Sequence, residues 1–145
     1  MRERVALLLL LLSGSAFAEV PRGTYTLDKP GRDGRRVYVV TLPACDRDTL
    51  ERVGPISALT ISFPAQVQTN GLIDINGDRW IFDGEDHQMA RAHQVNAPLG
   101  TQIVAWWWSA KGRRANGVLF VYGLDARGRL RCGSASQFHG TFTPP

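Results

Sequence analysis

The chain has 145 residues, 43% hydrophobic and 21% charged, which suits one compact domain and not two. Its charge fraction is too low, and its 9% aromatic content too high, for a disordered polyelectrolyte. Two cysteines cannot build a cysteine-dense knot or a four-thiolate zinc site. No apolar run approaches the roughly 20 residues a helix needs to cross a bilayer.

The N-terminus carries the clearest signal. Arg2 and Arg4 are followed by an apolar run from Val5 to Leu12, and Ser13-Gly14-Ser15 breaks it. Ala16-Phe17-Ala18 then satisfies the small-x-small rule of signal peptidase. The run would span only about 12 Å as a helix, too short for a membrane anchor. The sequence therefore predicts a signal peptide over 1–18 and an exported domain over 19–145, periplasmic or extracellular. Without Arg2, Glu3 and Arg4 the formal net charge falls from +4 to +3. So modest an excess does not predict a nucleic-acid partner.

From Glu19 onward, period-two patterns outnumber helical ones. Arg36–Leu42 is rich in β-branched and aromatic residues and reads as a strand. Cys45 pairs with Cys132 in the oxidising compartment that export implies. That bridge would close a loop worth about 4–5 kcal/mol in the chain-entropy model. A short helix is predicted over Asp48–Val53, with Asp48 as N-cap and Glu51 in the capping-box position. Ala58–Phe63 alternates and stops at Pro64. Leu72–Ile75 and Arg79–Phe82 flank Asn76-Gly77, the dipeptide preferred in a two-residue type I′ hairpin. The hairpin also overlaps Asp74–Glu85, whose oxygen ligands are spaced as in a calcium loop. Arg79 stands where that loop needs glycine, so the sequence predicts the hairpin and no metal.

Asp86–Val95 is ambiguous between a helical turn and a loop. Thr101–Ser109 and Gly117–Leu124 are strong strands, and Leu130–Cys132 with Gln137–Phe142 reads as a closing pair around Gly133-Ser134. The expected architecture is all-β: a single antiparallel β-barrel or β-sandwich of about eight to ten short strands, stapled by one disulfide.

Gly23-Thr24-Tyr25 resembles the Gly-x-Trp opening strand of lipocalins and related barrels, with tyrosine in place of tryptophan. The resemblance implies an aromatic plug in the barrel floor, often beneath a basic side chain from the last strand. Gln137–Thr143 carries no lysine or arginine to fill that role.

Three groups of residues could carry function. In Trp106-Trp107-Trp108, strand alternation points Trp106 and Trp108 to one face and Trp107 to the other. Flat indoles line apolar pockets and stack on sugar rings, making Trp106 and Trp108 candidate ligand-binding residues. Arg127, Arg129 and Arg131 are spaced two apart and would share one strand face, a candidate basic patch for anionic envelope polymers. Lys111, Arg113 and Arg114 crowd one turn, and Lys29, Arg32, Arg35 and Arg36 crowd another. Catalytic signals are thin: His87 and His93 stand among Asp83, Glu85 and Asp86, and His139 lies on the last strand. No Gly-x-Ser-x-Gly elbow or His-Glu-x-x-His spacing accompanies them.

These features predict an exported, non-catalytic β-domain without a cofactor, binding a small ligand or a partner protein. The alternatives are a hydrolase built on His87 or His93 with a carboxylate, and an envelope-associated structural protein whose arginines meet anionic polymers.

Overall fold

Leu59, Ile61 and Phe63 are buried while Thr60 and Ser62 are exposed, the alternation of a strand with one face in a core. The same pattern recurs along the chain. The computed structural model describes residues 20–31, 41–109 and 112–145. The predicted signal peptide and all but the last two residues of the Arg36–Leu42 strand lie outside them.

The elements are β1 (Gly23–Pro30), α1 (Arg47–Val53), β2 (Leu59–Phe63), β3 (Leu72–Ile75) and β4 (Asp78–Asp86). Then follow β5 (Met89–Gln94), β6 (Thr101–Ser109), β7 (Arg114–Leu124) and β8 (Leu130–Thr143). Each strand pairs antiparallel with the next, and β8 returns to β1, closing an eight-stranded barrel with no free edge. Of the two architectures the sequence allows, the barrel forms.

The interior is a fit of large against small. Tyr25, Phe63, Trp80, Trp107, Phe138 and Phe142 supply the bulk, and Ala90, Ala92, Ala105 and Ala115 on β5, β6 and β7 leave room for it. Gly117 belongs to this second set, because a Cβ there would run into Leu27. Trp107 meets Phe63 edge-on at 5.4 Å. The indole N–H groups of Trp80 and Trp107 are buried without an acceptor among the described residues.

Three local features differ from the sequence reading. The Asp86–Val95 stretch is the β4–β5 hairpin, turned by His87 and Gln88 at φ 50° and 65°. Histidine and glutamine carry no turn signature, unlike the Asn-Gly pair of the preceding hairpin, so this hairpin is hidden from pattern. The N-cap of α1 is Asp46, whose side chain accepts from the Thr49 N–H at 2.8 Å. The helix thus begins one residue before the predicted start. β8 is one strand of 14 residues, not a closing pair. Gly133 makes no turn; it lets the Tyr122 ring approach, and its N–H donates to the Pro43 carbonyl.

The Asn76-Gly77 hairpin forms as predicted, with φ 56° and 81°. Asn76 does a second job. Its side-chain oxygen accepts from the Thr60 N–H at 2.8 Å and its amide donates to the Ala58 carbonyl at 3.1 Å. The side chain imitates a peptide group and extends the short β2–β3 ladder by one step.

Candidate functional site

The two ends of the barrel are closed differently. At one end the chain before β1 folds inward: Val20 is buried, and Tyr25 donates its phenol to the Pro21 carbonyl at 2.5 Å. Burial pushes the Tyr25 phenol well above its ordinary range. Arg22 lies over the Phe63 ring at 4.0 Å and pairs with Glu85 on β4. An aromatic plug with a basic neighbour is therefore present, but the base precedes β1 instead of coming from the last strand.

At the other end α1 lies across the mouth. Asp46 caps it, and Gly54 ends it by donating to the Leu50 carbonyl at 3.0 Å. Hydrogen bonds from Thr49 hold the Asp46 carboxyl below the usual carboxylate range. Fully buried Thr49 is the foot of the helix, its hydroxyl meeting Arg52 and Arg131 at 3.4 Å each. Arg52 also reaches the Leu99 carbonyl at 3.0 Å.

The predicted disulfide joins Cys45 to Cys132, with Cα atoms 4.8 Å apart. Cys45 directly precedes the helix cap, so the bridge fastens α1 to the start of β8. The Cys45 N–H also donates to the Ser134 hydroxyl at 3.1 Å. The bridge holds one wall of the barrel mouth in place.

Between that wall and the barrel is a pocket of about 560 Å³. Leu50, Val53, Pro55 and Ile56 form its outer side, and Leu119 and Val121 of β7 its floor. The Ser136 hydroxyl stands at its edge, opposite Leu119 in the β7–β8 register, and Arg47 and Glu51 form a charged rim. The volume lies in the range of small-molecule sites, which are mostly apolar with a few polar groups. A second, larger groove of about 630 Å³ lies where β2 and β3 part. Its lining mixes Phe63 and Leu72 with Gln68, Asn70, Asp74 and Arg79, and is the less suited to an apolar ligand.

The residues singled out from sequence fall elsewhere. Trp107 points into the core, fully buried, while Trp106 and Trp108 are half-buried on the outer wall. They line neither of these cavities. Val118 and Phe120 also face outward on β7 and are nonetheless buried, separate from the interior cluster. Arg127, Arg129 and Arg131 do not share a strand face, because β8 begins only at Leu130. Arg127 belongs to the β7–β8 turn, Arg129 pairs with Asp125 at 3.3 Å, and Arg131 approaches Asp46 at 3.9 Å. The backbone N–H groups of Arg129 and Arg127 lower the Asp125 pKa.

His93 does meet a carboxylate: its Nδ1 lies 2.9 and 2.8 Å from the two oxygens of Asp83. A β-bulge between Phe82 and Gly84 brings Asp83 there. Asp83 is the hydrogen-bond partner of His93 among the described residues, and no serine, threonine or cysteine joins the pair. The His87 Nε2 lies 3.4 Å from the carboxylate of the neighbouring Asp86 on the surface, and His139 is exposed. Among the described residues no three histidine, cysteine, aspartate or glutamate side chains converge on one point.

Sequence reasoning missed the mouth pocket. Its two walls are about 65 residues apart in the chain, and only the disulfide hinted that they meet. No known family model matches this chain, and no curated protein or solved structure matches it either.

Proposed function

We propose that the protein is an exported, non-catalytic binding barrel that takes a compact apolar ligand under α1. The apolar pocket between Leu50, Val53, Pro55 and Ile56 on one side and Leu119 and Val121 on the other carries this reading. A ligand there would displace water from aliphatic surface, worth roughly 25 cal/mol per Å² removed from solvent. Ser136 offers one hydroxyl to orient a polar end. Export is supported by the Cys45–Cys132 bridge, since disulfides persist in oxidising compartments, and by the N-terminal signal pattern. Arg129 and Arg131 have acidic neighbours, which favours a pocket ligand over a polyanion lying on a basic patch.

Titration with the neutral fluorophore 1-aminoanthracene tests the reading. Saturable enhancement is expected in the native protein. Leu50→Glu, at a 40% exposed helix position that folding tolerates, should weaken it about tenfold or more. Equal binding by the variant would place the fluorophore elsewhere and remove the proposal.

A further inference from the structure

Among the described residues two arginines, Arg22 and Arg91, stack on aromatic rings, and they differ in one respect. Arg22 lies over Phe63 and also has a carboxylate, Glu85, and a carbonyl, Val20, to accept its protons. Arg91 lies over Trp106, its guanidinium carbon 4.9 Å from the ring centre. Its Nε, like the Arg22 Nε, is buried without a hydrogen-bond acceptor, but among the described residues no carboxylate pairs with the Arg91 guanidinium. Asp83 stands next to Gly84, the residue opposite Arg91 across the β4–β5 ladder. Both of its oxygens are directed to His93 Nδ1.

A guanidinium covered on one side by an indole and left without an acceptor has lost water and gained only a cation–π contact. A carboxylate meeting its fork with two parallel hydrogen bonds would restore what was lost. Arg91 sits between Ala90 and Ala92, which face the core, so its side chain belongs to the outer wall. That wall is convex, and small molecules prefer concave sites. Trp108, two residues beyond Trp106 on the same face, adds a half-buried indole beside the charge. Arginine and tryptophan are the residue types that dominate protein–protein contacts.

We infer that the Arg91–Trp106–Trp108 face docks a protein partner through an aspartate or glutamate flanked by apolar side chains. Arg91 receives the carboxylate, Trp106 holds the guanidinium flat, and Trp108 covers the apolar neighbour. The surface is separate from the pocket under α1 and does not depend on it.

The experiment follows guanidinium Nε–H and indole N–H resonances of the full folded chain. The probe is the blocked tripeptide acetyl-Leu-Glu-Leu-amide, with acetyl-Leu-Gln-Leu-amide as control and galacturonate as a second carboxylate source. The Glu peptide is expected to shift Arg91, Trp106 and Trp108 saturably while Arg22, already paired, stays still. The Gln peptide and the Arg91→Lys variant should each bind about tenfold more weakly. Equal response to the two peptides, parallel movement of Arg22, or response to galacturonate alone would overturn the assignment. The peptide pair decides the matter on the native chain, whatever the variant does to folding.

Discussion

Glu85, at the end of β4, pairs with Arg22, which precedes β1, and so ties the chain entry to the opposite side of the barrel. Both side chains are about four-fifths covered, at 22% and 20% exposure. Glu85 also accepts from the Val20 N–H at 3.2 Å. Removing the carboxylate takes an acceptor from the stacked Arg22 cation, which keeps the Val20 carbonyl, and from the Val20 N–H. Glu85→Ala should therefore cost about 2 kcal/mol, from hydrogen bonds to a charged group. Glu85→Gln should cost less, because it retains an acceptor. Denaturation midpoints of the two variants check the order.

The β4–β5 turn places His87 and Gln88 at positive φ, where residues other than glycine, asparagine and aspartate lose about 1–2 kcal/mol each. His87 gives back little through its exposed 3.4 Å approach to Asp86. The double change His87→Asn with Gln88→Gly supplies the preferred type I′ pair and should stabilise the fold by about 1 kcal/mol. A thermal midpoint raised by a few degrees is the expected result.

The three adjacent tryptophans should behave unequally. Trp107→Ala empties a fully buried site against Phe63 and Phe82 and should cost about 3–5 kcal/mol. Trp108→Ala, on the half-buried outer wall, should cost under about 1.5 kcal/mol. Trp106→Ala should fall between, since it strips the platform from Arg91. Denaturant midpoints, with quencher access to the native indoles, measure this ranking.

Stability should fall in strong alkali. Burial raises the phenol pKa of Tyr25 and of Tyr122 in the folded state. A group whose folded pKa is raised contributes stability that is complete below its unfolded value and is lost as pH rises toward the folded one. The loss should begin above about pH 10, where an unfolded tyrosine ionises. Tyrosinate absorbance should then appear together with loss of the barrel's circular dichroism, and not before it.

Local alternation and turn chemistry made much of this barrel readable from sequence. Leu59–Phe63, Thr101–Ser109 and the Asn76-Gly77 hairpin announce themselves, and a single pair of cysteines leaves one bridge to draw. What stayed hidden depends on tertiary contact. His87 and Gln88 turn a hairpin against their own preference because the flanking strands hold them. Gly133 resembles a turn residue but serves the close approach of Tyr122 within a continuous strand. Asp46, next to the bridged Cys45, caps the helix in place of Asp48, its side chain accepting from the Thr49 N–H. The mouth pocket was the least legible feature: Leu50 and Val53 lie on a short helix, and Leu119 and Val121 on a strand far away in the chain. Only barrel closure sets them opposite each other.

The Cys45–Cys132 bridge fastens α1, one wall of the pocket, so ligand mapping on the oxidised and reduced protein is the most direct test. Backbone amide resonances would be recorded with and without 1-aminoanthracene, before and after reduction of Cys45–Cys132. The account predicts shifts clustered on Leu50, Val53, Ile56, Leu119, Val121 and Ser136 in the oxidised protein. It predicts their loss on reduction, while the β1–β4 resonances persist. Shifts centred on other surfaces, or binding unchanged by reduction, would contradict it.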